Sequence, residues 1–229
     1  MRNAASLVFA GGLAFLLSVL LSQLAFGTPP MPVGAEILAV APHEVGAANL
    51  VTAVLLGYRG FDTLGELAVL FAAATAAGVV MGRRRPDARR DPPGGEVLRT
   101  GADLLFPLLL VVGLYVVVHG HLTPGGGFQG GVILAAAFFV AILAQPSRGL
   151  RHGVILWIEG LAGAVFILIG IWGLVANGDF LAPLLGPGVM GELVSAGTLP
   201  LLSMAIGLKV GAELAGIMAH IADAEAPDA

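Results

Sequence analysis

Apolar stretches long enough to cross a bilayer recur along this chain, and that repetition leaves few folds open to it. Five are plain, at 4–26, 61–81, 98–118, 153–175 and 193–219, and a sixth at 128–144 holds about 17 residues, near the lower limit for a span. A backbone in lipid has no water to bond with, so segments of this kind satisfy themselves as helices. Charge agrees: only 11% of the 229 residues are Asp, Glu, Lys or Arg, whereas a soluble domain carries roughly 25%. The expected fold is therefore all-α. It is a polytopic protein of the cell membrane, with about six transmembrane helices in the lipid bilayer and no soluble catalytic domain. The first stretch ends in small residues, Ala25 and Gly27, in the manner of a secretory signal. Its single preceding Arg and its length, beyond the roughly 7–15 residues of a signal core, favour a retained span.

The same composition excludes several functions. The formal net charge is −4 and Lys209 is the single lysine, so no basic stripe exists to track phosphates and nucleic acid is not an expected partner. The absence of cysteine removes disulfides and thiolate ligation of an iron–sulfur cluster by this chain. No catalytic residue and no cofactor is expected.

Arginine sets the expected orientation. Arg2 precedes the first stretch, Arg83, Arg84, Arg85, Arg89, Arg90 and Arg99 lie between the second and third, and Arg148 and Arg151 between the fourth and fifth. The segments 27–58, 119–127 and 176–192 contain no Lys or Arg. Under the positive-inside rule this alternation predicts that both the N and C termini are cytoplasmic. The Arg- and Pro-rich stretch 83–96 reads as a cytoplasmic linker and a topology anchor meeting anionic lipid. It divides the chain into a two-helix membrane unit at 1–82 and a four-helix unit at 97–220, followed by a cytoplasmic tail at 221–229. Gly207 and Gly211 form GxxxG on the last span, and Gly160 with Ala164 a small-xxx-small pair on the fifth; both suit close helix contacts in lipid.

Two segments carry chemistry. In the first, 49–66, the apolar run 50–56 is too short to span and is followed by Gly57 and Gly60, so it reads as an interfacial or re-entrant piece. Asp62 and Glu66 are four apart and share a helix face, with Arg59 one turn before. Asp62 suits the start of a helix, where acids complement the dipole. Glu66 lies one turn deeper, where an acid is a functional candidate by default unless Arg59 silences it by a fixed salt bridge. The second segment contains His119, His121, Pro124, Gly125, Gly126, Gly127 and Gln129. Pro124 and the glycines stop one helix and let the next begin close by. The formal GxGxxG at 125–130 has no preceding strand and is no nucleotide motif. The two histidines lack a third ligand nearby, so no metal site is expected, and a hydrogen-bonded hairpin that titrates near neutral pH is.

These residues also carry a resemblance. The run 119–131 with its flanking apolar stretches, over roughly 99–220, looks like the B subunit of Mrp-type multisubunit cation/proton antiporters. The Gly-Leu-Lys-Val at 207–210 is similar too. The segment 49–66, above all Gly-Phe-Asp-Thr-Leu-Gly-Glu at 60–66, resembles the E subunit of membrane-bound hydrogenases, whose counterpart is the C-terminal part of the antiporter's A subunit. The resemblance implies a fusion of two neighbouring components, sodium and protons as transported ions, other membrane subunits as partners, and an ion path near Glu66.

A second polar layer follows from helical rise. Asp103 and Glu159 fall about 9–10 Å above the cytoplasmic ends of their helices, Glu213 about 10 Å and Lys209 about 16 Å. Lys209 and Glu213 are four apart and can pair. Either Lys209 is neutralised there and snorkels to the interface, or all four form a proton or cation relay shared with partner subunits. The function expected is that of a non-catalytic membrane subunit of a sodium/proton antiporter complex. The alternatives are the same module in a redox-driven, hydrogenase-type respiratory complex, and a purely structural scaffold.

Overall fold

The computed structural model describes residues 2–23, 31–81, 94–146 and 152–223. Among these the regular structure is helical throughout, and five helices are long and apolar enough to cross a membrane. Arg83, Arg84, Arg85, Arg89, Arg90, Arg148, Arg151, most of the 83–96 linker, the small residues Ala25 and Gly27, and the last six residues of the tail lie outside the described residues.

The chain forms two compact units, Met1–Ile37 and Leu38–Ala229. In the first, α1 (Arg2–Ser22) is a helix of 21 residues whose apolar part, Ser6–Ser22, is shorter than the five spanning helices, so the span expected at 4–26 is not among those five. Its Ser18 hydroxyl donates back to the Ala14 carbonyl, satisfying itself within the helix. The helix α2 (Pro32–Val45) runs from the first unit into the second.

In the second unit the chain after α2 turns sharply. Gly46 has φ of 71° and its N–H donates to the Pro42 carbonyl at 3.2 Å, a left-handed C-terminal stop that glycine adopts without steric cost. A β-carbon there would stand 2.6 Å from the Pro187 carbonyl oxygen, so the position also needs glycine for space. Asn49 caps the next helical piece, α3 (Leu50–Thr52), which passes directly into a π-helical stretch, Ala53–Tyr58. The axis changes by 94° between Pro32–Val45 and Leu50–Tyr58, the geometry of a broken span or a re-entrant loop. The run 50–56, expected as an interfacial or re-entrant piece, forms one arm of this bent pair, whereas α2 was not foreseen: 32–45 contains Pro42, Glu36, His43 and Glu44, which dilute its hydrophobic signal.

The remaining helices are α4 (Gly60–Met81), α5 (Glu96–Val118), α6 (Gly127–Ala144), α7 (His152–Asn177) and α8 (Leu199–Asp223). At the centre lies α8, which packs on α6, α7, α4 and α5. Its small residues make that possible. A β-carbon on Gly131 of α6 would fall 2.8 Å from Val210 Cβ and 2.9 Å from the Gly207 carbonyl, and one on Gly207 would fall 2.6 Å from Val117 Cγ2 of α5. GxxxG at 207 and 211 thus serves a contact within the chain. Gly160 does not: nothing lies within 4 Å of its would-be β-carbon, and with Ala164 it lines an outward groove. In lipid there is no water to exclude between helices, so close backbone approach supplies the packing energy.

The last span begins at Leu199 and not at 193, because 178–198 is an irregular segment folded onto the helix ends. Phe180 meets Phe61 edge to face with centroids 6.0 Å apart. Leu181 and Ala196 have φ of 63° and 61°, strained for residues with a β-carbon. Both are buried, and the Ala196 N–H donates to the Pro187 carbonyl at 2.7 Å.

Candidate functional site

The hairpin end of the bundle is built around Asn49. Its side-chain oxygen accepts from the N–H groups of Val51 at 3.1 Å and Thr52 at 3.4 Å, the usual work of an N-cap. Its amide nitrogen points the other way and donates to the carbonyls of Gly120 at 2.7 Å and Thr123 at 2.9 Å, with Gly125 farther at 3.4 Å. The Thr52 hydroxyl donates to the same Gly120 carbonyl at 2.7 Å, and the Asn49 N–H to the His121 carbonyl at 3.0 Å. The hairpin of 119–126 is therefore held by residues from the short broken helix. Gly120 must be glycine because a β-carbon would lie 2.6 Å from Gly126 Cα. Gly125 and Gly126 have φ near 142° and 141°, open only to glycine. Gly127 then starts α6 against the Ser203 carbonyl.

The two histidines differ. His119 stacks on Tyr115 at 4.1 Å, with its Nδ1 3.1 Å from the Tyr115 carbonyl oxygen. His121 is fully buried, and neither ring nitrogen reaches a hydrogen-bond partner. Burial pushes its imidazole below the ordinary 6.5, an effect that the nearby backbone of Glu192 and Leu193 opposes and His119 adds to. The hydrogen bonds of the expected hairpin are thus made mainly by its backbone, the His121 carbonyl among them, and not by the His121 ring. Pro124 is exposed at the turn, and the Gln129 Oε1 lies near Gly126.

The junction into α4 carries the acids. Arg59 binds Asp62 through Nε at 2.6 Å and through its second nitrogen at 2.5 Å, both side chains exposed. The buried hydroxyl of Thr63 donates to the Leu55 carbonyl at 2.8 Å, taking up an acceptor from the π-helical stretch. Glu66 follows one turn later, exposed on the outward side of α4. Among the described residues it meets no hydrogen-bond or ion-pair partner, and Arg59 is engaged by Asp62. The cap is set locally by Asn49, whereas the helix start at Gly60 packs against Leu181 and has no room for a β-carbon.

The other polar layer centres on α8. Lys209 and Glu213 form an ion pair, with exposures of 8% and 1%. The Lys209 stem crosses Gly163 of α7, whose would-be β-carbon lies 3.5 Å from its Cδ, and its amine sits 5.2 Å from the centre of the Phe71 ring of α4. Lys209 is held there by Glu213. Glu159 of α7, between Ile155, which meets Gly216, and Gly163, which meets Lys209, faces Glu213 across the two helices. Asp103 stands apart, exposed in a cavity of about 240 Å³ beside Phe106, Phe138 and Gln145. Of the four residues expected in one layer, the fold brings three together. No group of three or more His, Asp or Glu side chains suited to a metal occurs among the described residues.

A family model described as a domain related to the MnhB subunit of the Na+/H+ antiporter matches residues 97–216, more than half of the chain. This chain belongs to that family. A second model, for the E subunit of MBH, matches residues 3–91. An uncharacterized protein of Methanocaldococcus jannaschii is 33% identical over 196 residues, covering 74% of each chain. One chain in the structure of the membrane-bound sulfane sulfur reductase, an archaeal respiratory membrane complex, is 37% identical with a TM-score of 0.79, covering 96% of this chain and 97% of that one. A chain of the Mrp complex from Dietzia sp. DQ12-45-1b is 27% identical with a TM-score of 0.75; all of this chain matches, over 27% of that one's length. The protein is thus a multi-pass membrane protein similar to components of large membrane assemblies. The Asn49 and Thr52 bonds to 120–125 join the two matched regions to each other. Sequence reasoning included Asn49 in its first segment but gave it no role; the cue was an Asn directly before a short apolar run.

Proposed function

We propose that this chain is a membrane subunit of a multisubunit sodium/proton antiporter complex, and that Glu66 contributes to the ion path. Glu66 is the observation that carries the reading. An acid about 9 Å inside a spanning helix, facing away from the chain's own core, needs a neighbouring protein, a cation or water beside it. Arg59, the residue best placed to neutralise it permanently, is taken by Asp62. Asp62 acts as a positioning residue at the helix start. A carboxylate such as Glu66 can exchange a proton for sodium, because both stabilise the same oxygens. The match to an antiporter-related domain supports this function, with both termini cytoplasmic and the hairpin outside, as the Arg distribution favours. The division into an E-like unit at 1–82, a linker at 83–96, a B-like unit at 97–220 and a tail at 221–229 belongs to the same proposal. So does the absence of a catalytic centre.

A second reading places the same module in a redox-driven respiratory complex, and the end-to-end similarity to a chain of the sulfane sulfur reductase complex supports it. Genes adjoining this one distinguish the two, since a redox arm resides on other chains. The role of Glu66 is tested by Glu66→Gln beside Asp62→Asn in the intact complex, with assembly checked by co-purification. Glu66→Gln is expected to abolish sodium/proton exchange and Asp62→Asn to reduce it modestly. Wild-type exchange across pH by an assembled Glu66→Gln complex overturns the assignment.

A further inference from the structure

The pair on α8 leaves one oxygen unused. Lys209 donates to Glu213 Oε1, while Glu213 Oε2 is buried and has no hydrogen-bond partner. Glu159 on α7 bears on the same carboxyl. Gly163 of α7 lies against the Lys209 stem, 3.5 Å from its would-be β-carbon to Cδ, and Ile155 of α7 against Gly216, 3.7 Å from Cγ2, so the antiparallel register of the two helices sets Glu159, midway between, opposite Glu213. The groups around Glu213 are few. On its own helix the ionisable neighbour is Lys209, α7 supplies Glu159, α4 presents Phe71 toward the amine, α6 carries no Asp, Glu, Lys, Arg or His, and Asp103 of α5 lines a separate cavity.

Two carboxylates against one ammonium sum to −1 in a setting of hydrocarbon and small residues. A net charge of that kind is strongly disfavoured within a membrane, and neighbouring carboxyls relieve it by sharing a proton. We propose that Glu213 and Glu159 hold one exchangeable proton between them, in a site that Lys209 completes. The O–H bond forms at a carboxylate oxygen of the pair, leaving Oε1 to accept from Lys209. On release the bond breaks, its electron pair stays on the carboxylate, and the proton passes to water or to a carboxylate further along. The site is neutral when loaded and −1 when empty, so its release is coupled to the arrival of positive charge nearby. Its place in transport rests on the antiporter reading; its existence does not.

Infrared difference spectroscopy on the purified intact complex, between acid and alkaline buffer in H2O and D2O, tests it. The expected result is a carboxylic-acid carbonyl band that shifts in D2O and vanishes as pH rises. In Glu159→Gln the band is lost, because Lys209 and Glu213 then balance one to one. In Lys209→Met it intensifies, because two carboxyls without an amine each take a proton. If Glu159→Gln does not assemble, Glu159→Asp serves: the band is retained at a shifted frequency, and an unshifted band refutes the proposal. A band indifferent to Glu159→Gln, or a sodium-dependent carboxylate signal in place of an acid band, overturns it. Loss of the band in Glu66→Gln assigns it elsewhere and also overturns it. Normal exchange in Glu66→Gln with the band intact removes the ion-path reading alone.

Discussion

Replacing Asn49 by alanine is expected to weaken the junction between the two matched regions by about 2–4 kcal/mol. The figure comes from two losses. The cap on Val51 and Thr52 is worth about 1 kcal/mol. The Thr123 carbonyl loses the amide that reaches it at 2.9 Å, and an unpaired, sequestered acceptor costs about 1–3 kcal/mol. Gly120 is protected, because the Thr52 hydroxyl still donates to its carbonyl at 2.7 Å. That shared acceptor makes a sharper test than the single variant. Thr52→Val alone leaves Gly120 with Asn49, so its cost is expected to be about 1 kcal/mol. The double variant strands Gly120 entirely and costs more than the sum, a coupling of roughly 0.5–3 kcal/mol. Asn49→Asp discriminates between cap and donor: it keeps an oxygen for the cap but places a carboxylate against carbonyl oxygens, so it is expected to be at least as damaging as alanine. Thermal denaturation of the detergent-purified complex, followed by retention of this chain, reads all four. An Asn49→Asp protein clearly more stable than Asn49→Ala, or strict additivity with Thr52→Val, refutes the reasoning, since either means that the amide donors hold nothing.

Three further outcomes follow from the geometry. Lys209→Met or Glu213→Gln alone breaks the buried pair at a cost of about 3–5 kcal/mol, the remaining member being left to a proton or to Glu159, and the double replacement is expected to be milder than either in thermal melting and co-purification. Burial lowers the His121 pKa, so below its ordinary value of 6.5 the unfolded chain binds more protons than the folded one; stability is therefore full above that value and falls as pH drops below it. His121→Asn removes that acid-side decline in melts taken between about pH 5 and 7. Gly131→Ala forces a β-carbon to within 2.8 Å of Val210 and is expected to cost about 1–3 kcal/mol, whereas Gly160→Ala meets nothing within 4 Å and is expected to leave the melting midpoint unchanged.

The primary structure alone determined the fold class, because hydrophobic length is a one-dimensional property and a bilayer enforces it on each segment separately. It also determined that Asp62 and Glu66 share a face and that Lys209 can reach Glu213, since both follow from four-residue spacing on a helix. The broken piece at 50–58 was legible for the same reason, as a run too short to span. Other features depended on which elements become neighbours. That α8 is the centre of the bundle, that Gly207 packs within the chain while Gly160 faces outward, and that Glu159 joins the Lys209 layer while Asp103 does not are results of helix placement. The Asn49 bonds to 120–125 link residues more than seventy positions apart, a separation to which local spacing is blind. Whether Arg59 turns toward Glu66 depends on the junction's fold, since Arg59 precedes the helix that carries both acids; the fold gave Arg59 to Asp62, three residues on. Periodicity assigns each helix its faces, and tertiary packing decides which face meets which.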